Sequence, residues 1–283
     1  MLSTELYNLL ENDFELSKCT DDWSQISSNS YISTNFRNRY MGILCDNAKE
    51  IEKVYTAVFL NNNIVGKILE RNEENFLIFT HHPMQWDITK LQCFENLSPD
   101  YFPILAKRNI SVYTLHTPLD KNGPYSTTMN FVKSLGLTPK SEFYDYFGHK
   151  VGIIAKSPFN SIAELTKVAE KTVNHRASLY IYGDSEIKNG TIASIAGGGN
   201  IPEVINYIAD AGINTMVTGI TKCNPYYQPS LDAHEIAKRR GINLIGTTHY
   251  SSEKFACIEM VKYFEALGLE AEFIEDKPCL DDL

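Results

Sequence analysis

The chain has 283 residues, is 43% hydrophobic and carries a formal net charge of −9. That is enough apolar chain for one large core or two smaller ones, and the acidic balance argues against a protein that wraps a nucleic-acid backbone. No run reaches the roughly 18 apolar residues of a membrane span.

The six cysteines are scattered without a CxxC spacing and read as reduced thiols rather than a disulfide framework. The amino terminus shows no cationic segment ahead of an apolar one, so no secretory signal is read and a soluble, cytoplasmic protein is expected. In chain order, residues 1–39 are polar, with an amphipathic helix expected at 4–16 and a Ser/Asn-rich loop after it, where Trp23 reads as packing. From Tyr40 the texture changes. Strands are expected at 40–45, 54–60, 76–79 and 110–115, and helices at 61–71, 99–107 and 127–135, the last stopped by Gly136. Residues 136–148 read as a connector, with Pro139 and several aromatics. A second alternation follows, with strands at 150–155, 178–182, 190–196, 215–218, 243–246 and 270–274. Its helices are expected at 161–174, 201–211, 230–240 and 252–267. Strands alternating with helices predict an α/β architecture. The acidic tail from Asp276 reads as loose.

Three strand exits carry ligand-type side chains. The apolar run Phe76 to Phe79 leads into Thr80, His81 and His82, after which Pro83 forbids further pairing. Two adjacent side chains on a regular strand face opposite ways, so the bland reading is one core and one solvent-facing histidine. At a strand end fraying before proline, both imidazoles can instead turn to one point. The second exit gives His116 and Asp120, and the third gives His249 and Glu253, each pair four apart. Glu253 is expected in the first turn of the last helix, capped by Ser251 or Ser252. Ligands in open α/β sheets gather beyond the carboxyl ends of strands, so three such exits can converge. Four histidines and two carboxylates exceed one tetrahedral zinc site. They suit two divalent metals about 3.5–4 Å apart, with a carboxylate bridge and water. Mixed imidazole and carboxylate ligation accommodates zinc, iron, manganese or nickel. His116 could instead act through Asp120 or a bound water.

Gly197-Gly198-Gly199-Asn200 follows a strand, with Asn200 and Glu203 at capping-box spacing and Pro202 early in the helix. Gly198, Gly199 and Asn200 are therefore candidate anion or substrate contacts, although a tight turn explains the glycines as well. His234, in a charged helix, reads as solvated, and His175 as an ordinary helix-end residue.

His81-His82-Pro83, His116-Thr117-Pro118-Leu119-Asp120 and His249-Tyr250-Ser251-Ser252-Glu253 resemble, in order and spacing, the three signatures of the Nif-three-like dinuclear metal centre family. Its bacterial members carry the name GTP cyclohydrolase 1 type 2 homologue. The resemblance covers roughly residues 40–274. It implies two intertwined α/β domains, 1–135 with 245–283 and 136–244, the first closed by the returning carboxyl-terminal segment. It also implies a ring-like homohexamer and a metal-dependent hydrolase acting on a small-molecule, nucleotide-like substrate. By motif position His81, His82, Asp120, His249 and Glu253 would be metal ligands, with His116 adjacent. A metal-bound hexamer with a regulatory or scaffolding role, and a phosphoesterase, are the alternatives. Pro118 stands where asparagine is common in the family, Thr248 where glycine often precedes the histidine, and Asn61 or a neighbour where an acid follows the second strand.

Overall fold

A computed structural model of the chain describes residues 1–26, 29–87 and 90–283. Ser27 and Ser28, part of the expected Ser/Asn-rich loop, lie outside the described residues. The chain divides into two compact units. The first comprises Met1–Asp87, Gln92–Asp120 and Ala256–Asp276, and the second chiefly Lys121–Phe255 and Lys277–Leu283.

The first unit opens with α1 (Ser3–Asp13), α2 (Thr34–Arg39), β1 (Gly42–Cys45), β2 (Lys53–Phe59) and α3 (Asn62–Leu69). It continues with β3 (Phe76–His82), the short pair β4 (Gln85–Trp86) and β5 (Phe94–Glu95), α4 (Tyr101–Lys107), β6 (Ile110–Thr114) and α5 (Thr117–Asp120). Its sheet runs β1, β6, β3, β2, with the returning strand Glu270–Phe273 at the far edge. Only the β1 pairing is antiparallel. β3 and β6 are buried along their whole length, as parallel strands covered on both faces must be. Tyr55, Phe76, Ile78 and Val112 from the strands pack with Ile64 and Ile68 of α3 and Leu105 of α4. Asn61 caps α3 by accepting from the Ile64 amide at 2.9 Å, and its amide group also donates to Gln85 and Asp276.

β3 does not fray after Phe79. It continues as regular strand through both histidines, with His82 paired to Phe59 of β2, and ends only at Pro83.

The second unit contains α6 (Thr127–Ser134), β7 (Thr138–Tyr146), β8 (His149–Lys156), α7 (Ile162–Val173), β9 (Ser178–Tyr180) and β10 (Thr191–Ile195). Then come α8 (Pro202–Asp210), β11 (Thr215–Thr218), α9 (Gln228–Arg240), β12 (Asn243–Gly246) and the start of α10 (His249–Ala266); the returning strand of the first unit is β13. The sheet order is β7, β8, β10, β11, β12, β9, with β10, β11 and β12 mutually parallel.

Three expectations change here. Residues 136–148 are not a connector, since most of them form β7. It is an edge strand, solvent-facing at most positions and with a register shift between Pro139 and Ser141, so neither alternation nor an apolar run marked it. Residues 121–135, 245–255 and 277–283, which the family resemblance grouped with the first unit, fall in the second, where Phe131 and Val132 pack with Ile153, Ile192 and Val217. The acidic tail is anchored rather than loose: the Thr221 and Lys222 amides both donate to the Asp282 carbonyl, and Asp282 is buried. Among the described residues no helix is long and apolar enough to cross a membrane. Burial pushes the Cys45 thiol up to about 12.

Candidate metal centre

β3 and β6 pair in parallel, so their carboxyl ends lie side by side. His81 and His82 end the first, and His116 follows the second by two residues. The His116 carbonyl accepts from the Leu119 and Asp120 amides, at 2.9 and 3.0 Å, which turns the chain into α5 and sets Asp120 one turn beyond the imidazole. The rings of His81, His82 and His116 have centroids 4.3 to 5.1 Å apart. Each offers a nitrogen within 4.8 Å of the others', and all three are buried.

What each ring faces places its proton. His81 Nδ1 lies 2.9 Å from the Leu115 carbonyl oxygen. A carbonyl only accepts, so Nδ1 donates and Nε2 keeps its lone pair. His116 Nδ1 lies 3.1 Å from both carboxylate oxygens of Asp21 and donates likewise. The remaining nitrogens face one carboxylate: His81 Nε2 is 3.5 Å from Asp120 Oδ1, and His116 Nε2 is 3.4 Å from Asp120 Oδ2. Two buried lone pairs against a half-buried anion repel unless a proton or metal ion lies among them. Imidazole nitrogen with carboxylate oxygen is the donor set of first-row divalent metals, so these residues fit such an ion.

Sequence reasoning missed Asp21. Burial pushes its carboxyl up, but attraction to His116 and the hydrogen bonds from His116 and the Thr117 amide outweigh burial and hold it below the usual carboxylate range. Trp23, expected to pack, does so against the site: its ring stands edge-on to His116 at 4.8 Å and His82 at 5.4 Å. Phe59 stacks on His82 at 4.8 Å.

In the second unit α10 starts at His249, three residues earlier than expected, so Glu253 sits in the second turn rather than the first. Neither Ser251 nor Ser252 is the cap. Thr248, at φ 71°, accepts from the Ser251 amide through Oγ1 and from the Ser252 amide through its carbonyl, both at 3.2 Å. The His249 amide donates to Asp282 Oδ2 at 2.9 Å, so the tail supplies a carboxylate to the helix start. His249 Nε2 and Glu253 Oε1, one turn apart, are 3.1 Å from each other and buried. Gly197, at φ 68°, is pressed against this pair: a Cβ there would run into Glu253 Oε1 and lie 3.3 Å from His249 Nε2. The Gly197 amide donates to Ser252 Oγ at 2.8 Å, whose hydroxyl donates in turn to the His249 carbonyl at 2.9 Å.

The expected capping box at Asn200 and Glu203 does not form. The residue before α8 is Ile201, and no side chain caps the helix. Asn200 is 5% exposed, and among the described residues neither its side-chain oxygen nor its nitrogen has a hydrogen-bond partner. Gly198 is exposed and faces open space, whereas the Gly199 amide is used by Thr218 Oγ1 at 3.2 Å.

His234 is not solvated. It is buried, donating through Nε2 to the Thr221 carbonyl at 2.6 Å and accepting at Nδ1 from the Tyr182 hydroxyl at 2.9 Å. Burial lowers its pKa, against a smaller opposing effect of the Thr221 carbonyl. His175 Nδ1 donates to the Arg176 carbonyl, and its Nε2 accepts from Ser251 Oγ, both at 2.7 Å.

The model of the Duf34/NIF3 (NGG1p interacting factor 3) family matches residues 32–278 of the chain. The chain belongs to this family. This NIF3-family chain is 26% identical over 264 residues to a "GTP cyclohydrolase 1 type 2 homolog" of Archaeoglobus fulgidus, which covers 92% of this chain and 96% of the relative. It is 28% identical over 271 residues to a protein of the same name from Borreliella burgdorferi, covering 94% and 97%. Among solved structures, protein ybgI, described as of unknown function, superposes with a TM-score of 0.75 at 17% identity over 99% of this chain and 100% of its own. Reduced HcgD from Methanocaldococcus jannaschii superposes with 0.69 at 18% identity, over 98% of each chain. These likenesses show that the fold is that of the NIF3 proteins.

Proposed function

We propose that this NIF3-family protein is a metal-dependent hydrolase that holds two divalent ions and acts on a small, nucleotide-like substrate. The observation that carries the reading is the convergence of the lone pairs of two buried imidazoles on the half-buried Asp120 carboxylate, which a cation would complete. In this reading His81, His82, Asp120, His249 and Glu253 would hold the ions, with His116 beside them and its Nε2 turned toward Asp120. Ions such as zinc, iron, manganese or nickel would supply Lewis acidity and a hydrolytic nucleophile from water near neutral pH.

The chain's own residues do the rest. The Leu115 carbonyl and the Asp21 carboxylate hold the His81 and His116 rings with their Nε2 atoms toward Asp120. Trp23 and Phe59 cover the imidazoles and keep bulk water from them. The absence of a side chain at Gly197 leaves Glu253 and His249 in place. Gly198, Gly199 and Asn200 are the substrate contacts, Asn200 offering both a donor and an acceptor and Gly198 an exposed backbone. The relatives' names make GTP the first substrate to test. By the family resemblance read from the three motifs, the chain assembles as a ring-like homohexamer.

The experiment is elemental analysis of wild type and of the double variants His81→Ala/His82→Ala and His249→Ala/Glu253→Ala, with GTP and a broad hydrolase panel assayed in parallel. Two ions per chain in the wild type, loss of at least one in each variant and turnover confined to the loaded wild type are expected. Double variants that keep both ions, or loaded protein that turns over nothing in the panel, would overturn the reading.

A further inference from the structure

We infer that Asp21 is a positioning residue of the metal centre, holding His116 as its Nδ1–H tautomer with the Nε2 lone pair turned toward Asp120. The inference rests on the metal-centre reading above, but Asp21 lies outside the segment matched by the family model, which begins at residue 32.

The Asp21 side chain is 1% exposed, and both of its oxygens lie 3.1 Å from His116 Nδ1. It also accepts from the Thr117 amide at 3.0 Å and from its neighbour Asp22's amide at 2.9 Å. The two amides need only a neutral acceptor, which an asparagine or serine would provide. The full charge of the carboxylate therefore acts on the imidazole. A buried anion behind Nδ1 fixes which nitrogen carries the proton and raises the basicity of the other, strengthening it as a ligand. His81 differs in this respect, because its Nδ1 is held by the neutral Leu115 carbonyl. Trp23, two residues after Asp21, stands edge-on to the same ring and restricts its rotation. With the proton on Nε2 instead, His116 would present a donor to Asp120 and have no lone pair for an ion.

The test uses full-length protein stripped with chelator and reloaded with Zn(II) or Co(II) in competition with a chelating dye. Asp21→Asn should bind about 10–100-fold more weakly than wild type, with a changed visible spectrum in the Co(II) form and a metal-free melting temperature close to wild type. In a His116→Ala background the same substitution should cost no further affinity, because its effect passes through that ring. A purely structural carboxylate would cost the same in both backgrounds, and that result, or Asp21→Asn loading as tightly as wild type, overturns the inference. If wild type takes up no metal, the metal-centre reading fails by itself. Long-range ¹H–¹⁵N spectra of the metal-free protein then decide: an Nδ1–H signature for His116 that becomes mixed in Asp21→Ala supports the positioning role, and an Nε2–H signature in wild type ends it.

Discussion

Replacing Gly197 by alanine separates backbone strain from damage to the His249–Glu253 pair. At φ 68° an L side chain costs about 1–2 kcal/mol in backbone conformation alone. Gly212, at φ 74°, would carry the same cost, but a Cβ there meets nothing within 4 Å. Gly212→Ala is therefore the measure of the backbone contribution. At Gly197 the added methyl also collides with Glu253 Oε1 and crowds His249 Nε2 at 3.3 Å. Relief requires the Glu253 carboxylate to swing away from His249, giving up the 3.1 Å contact between two buried side chains. Leaving a buried polar group unsatisfied adds about 1–3 kcal/mol, so the sum is roughly 2–5 kcal/mol for Gly197→Ala. Urea unfolding and thermal melts of the two variants read the difference, at about 2–4 °C per kcal/mol for a chain of this size. Metal content measured on the same samples should be normal in Gly212→Ala and reduced in Gly197→Ala. Equal destabilisation of the two variants, with full metal content in both, would refute the placement of Gly197 against the pair.

Two further outcomes follow from contacts distant in sequence. Asp282→Ala removes the carboxylate that receives the His249 amide; a loss of about 0.5–2 kcal/mol is expected, with faster hydrogen exchange at the start of α10, and unchanged protection of the His249 to Ser252 amides would count against the brace. His234 sets a pH dependence. Its folded pKa lies below the unfolded value of about 6.5, chiefly because it is buried. The unfolded chain then takes up the proton first, so this contribution is complete above about pH 6.5 and is lost as pH falls toward the folded pKa, at up to about 1.4 kcal/mol per pH unit. His234→Gln should be less stable than wild type at pH 7.5 and lose less between pH 7.5 and 5.5; parallel urea-midpoint curves for the two proteins would contradict this.

Several parts of the site were legible before any fold was in hand, because they are local. The run Phe76 to Phe79 reads as buried strand, Pro83 sets its limit, and the spacing of four brings His116 to Asp120 and His249 to Glu253 on single helical turns. The alternation of strands and helices likewise predicted β11 and β12 to the residue. Where the local signal was weak, the reading failed. β7 lies at an edge and faces solvent, so its side chains carry no pattern. His234 sits among charged neighbours on α9, yet its own face of the helix is buried, which composition does not reveal.

By itself the sequence determined which side chains can bind an ion and which strand ends carry them, since residue type and local spacing decide both. Only the tertiary structure brought in Asp21, 95 residues before His116, Asp282, 33 residues after His249, and Gly197 beneath Glu253. Each is an ordinary loop acid or turn glycine in its own neighbourhood, and acquires its role through a burial and an approach that long-range packing alone creates.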